Sequence, residues 1–220
     1  MRPSVPLILA AVIGIALGIT VAVRGSGGAA ESADAEATLA PLQAQMQNTV
    51  VLPEDFRRVP EFALQGGDGA PLEHGFLEDR WTLAFFGYTH CPDVCPITLQ
   101  VMKEVVADLE SQDVEPMQVA FFTVDPVRDT AERMGEYVGF FDEDFVGVTG
   151  ELDQVQSLTR SLGIVSAFTA VDGRPDDYLV DHTASMLLID PQRRVRAKFN
   201  APHEADTIVQ DFVTLRDALG

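Results

Sequence analysis

WTLAFFGYTHCPDVCP, Trp81 to Pro96, opens as an unbroken apolar run and closes on two cysteines four positions apart. A run such as Trp81 to Gly87, apolar without polar alternation, is the pattern of a strand covered on both faces. MQVAFFTV, Met117 to Val124, repeats that pattern. Between them, Leu99, Met102, Val105, Val106 and Leu109 place an apolar stripe along a helix from Ile97 to Leu109. The three pieces form a β-α-β unit, for which a right-handed crossover is expected. Working outward, Asp129-Thr130-Ala131-Glu132 reads as a capping box that opens a helix toward Phe140. Leu152 to Leu162 reads as a further helix, stopped by Gly163. SMLLID (Ser185 to Asp190) reads as a strand that turns over Pro191 to Arg194 and returns as Val195 to Phe199. Ala205 to Leu219 closes the chain as a helix, and the segment between Phe168 and Tyr178, with VDGRPDD in its middle, reads as an acidic loop. Strands and helices in this order predict an α/β fold with a mixed central sheet flanked by helices.

Upstream of this domain the chain changes character. Val5 to Val23 is an uncharged, largely apolar stretch of 19 residues between Arg2 and Arg24. At about 1.5 Å per residue it spans roughly 28 Å as a helix, close to the thickness of a bilayer's hydrocarbon core. Residues 1–24 are therefore expected to be a transmembrane anchor, with a cleaved signal segment as the competing reading because small residues follow at Ala29, Ala30 and Ala33. The short basic start keeps the N-terminus inside and sends the remainder outside the cytoplasm. Residues 25–51, rich in Gly, Ala, Ser, Glu and Gln, read as a flexible linker, and 52–220 as the globular domain.

The 220 residues hold 34 acidic and 15 basic side chains, for a net charge of −19. Clustered Lys and Arg drive phosphate binding, so nucleic acid is excluded as a partner. A hydrophobic content of 46% excludes wholesale disorder.

Both cysteines of the chain, Cys91 and Cys95, fall where the first buried strand meets its helix. In an open α/β sheet that carboxyl end is where ligands bind, and a helix N-terminus lowers thiol pKa values. A structural disulfide here closes a very short loop, which stabilises little. A redox pair or a metal site is the stronger reading. Thioredoxin-like oxidoreductases generally space their cysteines one residue closer. Two thiolates at i and i+4 share a helical face, and with an imidazole they form a soft donor set suited to copper. A structural zinc site wants four protein ligands, which these residues do not supply.

An imidazole has four candidate sources. His74 lies in a polar loop, His203 near the start of the last helix, His90 beside Cys91, and His182 just before the SMLLID strand. Spacing alone leaves the choice open, although a loop before a neighbouring strand brings His182 toward the sheet end that carries the cysteines. Asp125, Arg128 and Asp129 read either as a helix cap with an ion pair, or as groups that steer a partner or sit behind the site. Asp93 reads as a helix-start residue favoured by the dipole, or as an outer acceptor.

FFGYTHCPDVCP (Phe85 to Pro96), TVDPVRDT (Thr123 to Thr130) and DHTASMLLIDP (Asp181 to Pro191), in that order, closely resemble the Sco/SenC family. The resemblance runs from about Phe56 to Gly220. It implies a thioredoxin-like fold and a membrane-anchored, copper-binding protein that helps assemble cytochrome c oxidase. It implies copper, as Cu(I) or Cu(II), on Cys91, Cys95 and His182. The implied partners are the copper-receiving oxidase subunit and a copper donor or thiol reductant. The implied place is the extracytoplasmic face of an inner membrane, crossed once. The same thiols also suit a reductase that keeps the oxidase cysteines reduced, with Cys91 and Cys95 as its redox pair, or a copper or redox sensor. The segment His182-Thr183-Ala184-Ser185 lacks the proline that thioredoxin-type catalysts place opposite their cysteines, which tilts against a general oxidoreductase. Thr89 lies only two residues before Cys91, so the Thr-x-x-Cys arrangement of a peroxiredoxin is missing.

Overall fold

The computed structural model describes residues 39–114, 117–171 and 174–219. The anchor read at 1–24 and the first part of the linker lie outside them. Among the described residues no helix is long and apolar enough to cross a membrane.

In chain order the elements are β1 (Thr49–Val51), β2 (Ala63–Gly66), β3 (Pro71–Glu73), a 3-10 turn at His74–Leu77, β4 (Thr82–Gly87), α1 (Val94–Ser111) and β5 (Gln118–Thr123). There follow α2 (Ala131–Gly139), β6 (Val146–Thr149), α3 (Leu152–Leu162), β7 (Ser166–Val171), β8 (Arg174–His182), β9 (Met186–Ile189), β10 (Val195–Phe199) and α4 (Ala205–Leu219). Eight strands form one sheet in the order β1-β10-β9-β4-β5-β6-β2-β3, and β7 with β8 forms a separate two-stranded ribbon. The β4–β5 and β5–β6 pairs are parallel. β9 runs antiparallel to β4, and β2 antiparallel to β6. This is the mixed sheet expected, in a thioredoxin-like α/β arrangement.

Every residue of β4 is buried, so helices cover the sheet on both faces. Phe85 sits opposite Phe121 and Phe86 opposite Phe122, and both ring pairs stack across the parallel ladder at 5.8 and 5.0 Å. Aromatic pairs of this kind add to the area they bury. The α1 stripe read from sequence is the buried one: Leu99, Met102, Val105 and Leu109 are all 1% exposed or less.

Three expectations need correction. Residues 166–171 and 174–182 pair as an antiparallel ribbon running from the Ser166–His182 pair to Val171–Arg174, where an acidic loop was expected between Phe168 and Tyr178. Pro175 and two aspartates depress strand propensity locally, and cross-strand pairing overrides them. Thr130, not Asp129, caps α2, accepting from the Arg133 N–H at 3.2 Å. Asp129 instead points inward, fully buried. The ordered fold also begins before residue 52. Leu39, Leu42 and Met46 pack on the core, and β1 pairs with β10. Buried Asp211 on α4 accepts from the Thr49 hydroxyl at 2.6 Å and from the Gln47 N–H at 3.3 Å. The Gln43 side-chain amide bonds the Thr49 carbonyl and the Val51 N–H, both at 2.8 Å. It thereby occupies the outer rim of an edge strand that would otherwise be open to pairing.

Candidate metal centre

β4 delivers the chain to the carboxyl end of the sheet, where Tyr88 to Asp93 turn it into α1. The turn is fastened from below by Asp129. Its carboxylate accepts from the Thr89 N–H (3.0 Å), the Thr89 hydroxyl (2.6 Å) and the Thr123 hydroxyl (2.6 Å). A buried carboxylate is stable only when so satisfied, so the three bonds fix both the acid and the loop that ends in Cys91. Asp129 thus stands behind the site, one of the two readings its sequence position allows, on partners from the turn after β4 and the end of β5 that only folding brings together.

Asp93 occupies the start of α1 but makes no side-chain cap bond. The Cys91 sulfur takes that place, accepting the Cys95 N–H at 3.4 Å. Pro96, third in the helix, needs no partner for a backbone donor. The thiol of Cys91 is held well below its ordinary pKa, chiefly by the hydrogen bond with Cys95, then by His182 and the backbone N–H groups of Asp93 and Cys95, against the effect of burial. Cys95 is pushed upward by the same bond and by its complete burial. The pair thus shifts in opposite directions, Cys91 toward ionisation and Cys95 away from it.

His182, last residue of β8, is the histidine that reaches them. Its Nδ1–H donates to the Thr183 carbonyl oxygen at 3.1 Å, which turns Nε2 toward the sulfurs, 3.4 Å from Cys95 Sγ. The rings of Phe85 and Tyr88 meet it edge-on, each at 5.9 Å. Cys91 Sγ, Cys95 Sγ and the His182 donor atom lie within 4.8 Å of one another. Three donors around one ion at bonds of about 2.0–2.3 Å lie roughly 3.5–4 Å apart, so the trio needs little movement to close on a metal. The other histidines stand elsewhere. His74 packs its ring against Phe62, and His203 donates from Nε2 to the Ala184 carbonyl at 2.8 Å. His90 turns Nδ1 to the Thr89 hydroxyl at 3.2 Å, and its side chain is 45% exposed.

Gly87 is a residue that sequence reading passed over. A Cβ there would lie 2.6 Å from Cys95 Sγ and 2.8 Å from Phe121 Cε2. The last residue of β4 must therefore be side-chain-free for the thiol to sit against the sheet. Gly87→Ala is expected to displace Cys95, costing about 1–3 kcal/mol of stability as overpacking. Denaturant unfolding together with alkylation of Cys95 checks it, since the thiol should become more reactive.

The description SCO1/SenC matches residues 52–216. The SCO2 homolog, mitochondrial, of Mus musculus is 32% identical over 169 residues, which make up 76% of this chain and 66% of that one. The chain thus spans slightly less than two thirds of that relative's length. The structure of Arabidopsis thaliana ScoI with copper bound is 30% identical with a TM-score of 0.69, over 72% of this chain and 98% of that one. Bradyrhizobium japonicum ScoI with copper bound is also 30% identical with a TM-score of 0.64, over 74% and 99%. With the three motifs in order, the strand topology and a match over most of its length, the chain belongs to the SCO1/SenC family.

Proposed function

We propose that the domain binds one copper ion through Cys91, Cys95 and His182 and hands it to the copper-receiving subunit of cytochrome c oxidase. The observation that carries this reading is the convergence of two sulfurs and an imidazole nitrogen within 4.8 Å. Thiolate sulfur suits Cu(I), and the imidazole adds a donor that Cu(II) accepts well. The solved relatives from Arabidopsis thaliana and Bradyrhizobium japonicum hold copper, which supports the metal assignment. Residues 1–24 anchor the chain in the membrane, residues 25–38 tether the domain, and the site works on the extracytoplasmic side. Cys91, 9% exposed against 0% for Cys95, is the sulfur that an incoming thiolate reaches first. Handover replaces protein donors one by one, and no covalent bond of the chain is made or broken.

The second reading is a thiol-disulfide reductase for the oxidase cysteines. It is favoured by the lowered pKa of the rim thiol Cys91 beside the fully buried Cys95, whose pKa is raised, the arrangement of an attacking and a resolving thiol.

Anaerobic titration of the full-length chain with Cu(I), with metal counting and thiol alkylation, tests the first reading. The reduced protein is expected to take up one equivalent. Protein pre-oxidised to a Cys91–Cys95 disulfide is expected to lose that uptake, because oxidation removes both thiolates. Equally tight uptake by the two forms would overturn the assignment.

A further inference from the structure

His182 is carried by a ribbon that is no part of the main sheet. Two strands alone are marginal in water, so the ribbon's direction depends on what it touches. Tyr178, Val180 and His182 alternate onto one face of β8. That face meets the body of the domain at each of the three. His182 meets the Phe85 and Tyr88 rings. The Val180 N–H donates to the Tyr88 hydroxyl at 3.3 Å. Tyr178 is held by Arg128, from the turn between β5 and α2. The guanidinium lies 3.6 Å from the Tyr178 ring centroid, and its Nη1 donates to the Tyr178 carbonyl at 3.0 Å. Arg128 is itself held by buried Asp125, which also accepts the Tyr178 hydroxyl at 2.8 Å. The base of the ribbon is tied by Thr183 and Val165, whose backbones bond at 3.0 Å. That tie adjoins His182 and leaves the ribbon free to swing about it. Four residues farther out, roughly 13 Å along a strand, the Arg128–Tyr178 contact, with the Tyr178 hydroxyl on Asp125, holds the ribbon against that swing.

We infer that Arg128 is a positioning residue for His182: by clamping Tyr178 it fixes the ribbon and so sets the imidazole against the two sulfurs. The inference rests on the reading of Cys91, Cys95 and His182 as copper ligands. Arg128 acts on the imidazole through β8, and its guanidinium also lies 5.7 Å from the ring of Tyr88, which packs on His182. Lysine is no substitute, because a stacked planar group with several donors is what the site uses.

The test uses the full-length chain and four variants, Arg128→Ala, Arg128→Lys, Tyr178→Leu and His182→Ala, with the Arg128→Ala/His182→Ala double variant. Cu(II) affinity is expected to fall 10–100-fold in Arg128→Ala, the range for loss of a group that orients a ligand. The thiolate-to-copper absorption should shift toward that of His182→Ala. In the double variant Arg128→Ala should add nothing further, since its effect passes through His182. Tyr178→Leu leaves the Arg128–Asp125 pair in place and should reproduce the shift, which keeps the inference testable if Arg128→Ala does not fold. Arg128→Lys should resemble Arg128→Ala. In the metal-free protein, hydrogen exchange at the Val180 amide should quicken in Arg128→Ala. A parent that binds no copper would overturn the ligand reading and leave the exchange result to judge the clamp. A parent that binds copper, with Arg128→Ala and Tyr178→Leu unchanged in affinity, absorption and Val180 exchange, would overturn the clamp alone. Additive losses in the double variant would also overturn it.

Discussion

Replacing Cys91 or Cys95 with serine is expected to abolish tight Cu(I) binding. The loss should exceed the roughly 10–100-fold that removal of an outer orienting partner costs, because a soft anionic donor is exchanged for a hard neutral one. The two variants should differ in secondary effects. Cys91→Ser removes the sulfur that accepts the Cys95 N–H at the helix start, whereas Cys95→Ser places a hydroxyl in a fully buried position beside Gly87. His182→Ala is the informative companion. It removes the nitrogen donor and leaves both thiols, so Cu(II) binding should weaken and its thiolate absorption should move, with a smaller fall in Cu(I) affinity. Exchange with small disulfides should continue. If cells carrying His182→Ala assemble the oxidase as the parent does while those carrying Cys91→Ser fail, the reductase reading gains and the copper reading loses its third ligand. Cu(I) competition titration, Cu(II) absorption spectra and oxidase assembly in cells are the measurements.

A fragment beginning at residue 52 is expected to be less stable than one beginning at residue 39 by about 3 kcal/mol or more. For a domain of this size that is a drop in Tm of roughly 6–12 °C. The physical reason is Asp211. Its carboxylate is 2% exposed, and the donors it uses from this segment are the Thr49 hydroxyl and the Gln47 N–H, both lost with the truncation. A buried acceptor deprived of its partner costs about 1–3 kcal/mol, more when charged. Loss of β1 also uncovers the edge of β10 and takes the buried Val51 side chain out of the core. Thr49→Val isolates the first contribution, and it should lower Tm by a few degrees without altering the chain length. Equal melting of the two fragments would show that residues 39–51 add nothing to the fold.

Much of this protein is written locally. The buried central strands announce themselves at Trp81 to Gly87 and Met117 to Val124 because a strand covered on both faces has no reason to alternate. Helices α1, α3 and α4 are legible because their apolar residues recur at helical spacing, and Gly163, with φ of 73°, ends α3 where a residue without Cβ is favoured. Cys91 and Cys95 are close in sequence, so their meeting at a helix start follows from short-range geometry. Other features depend on contacts far apart in the chain. The short strands β1, β2, β3 and β6 have three or four residues each, too few to show a period, and exist because a neighbour offers hydrogen bonds. The ribbon β7–β8 goes against its own composition, and its register alone puts His182 at the end facing the sulfurs. Asp129 reads locally as a cap, yet becomes the buried anchor of the cysteine turn once Thr89, from the turn after β4, and Thr123, at the end of β5, arrive beside it. Gly87 looks like an ordinary strand end until Cys95 is laid against it. Strands β4, β5, β9 and β10, the four helices and the thiol pair follow from the chain's local pattern, because those rest on neighbours within a few residues. Only the tertiary structure decided which histidine faces the sulfurs and what holds it there, because a side chain's partners across 40 or 90 positions are set by how the strands pair.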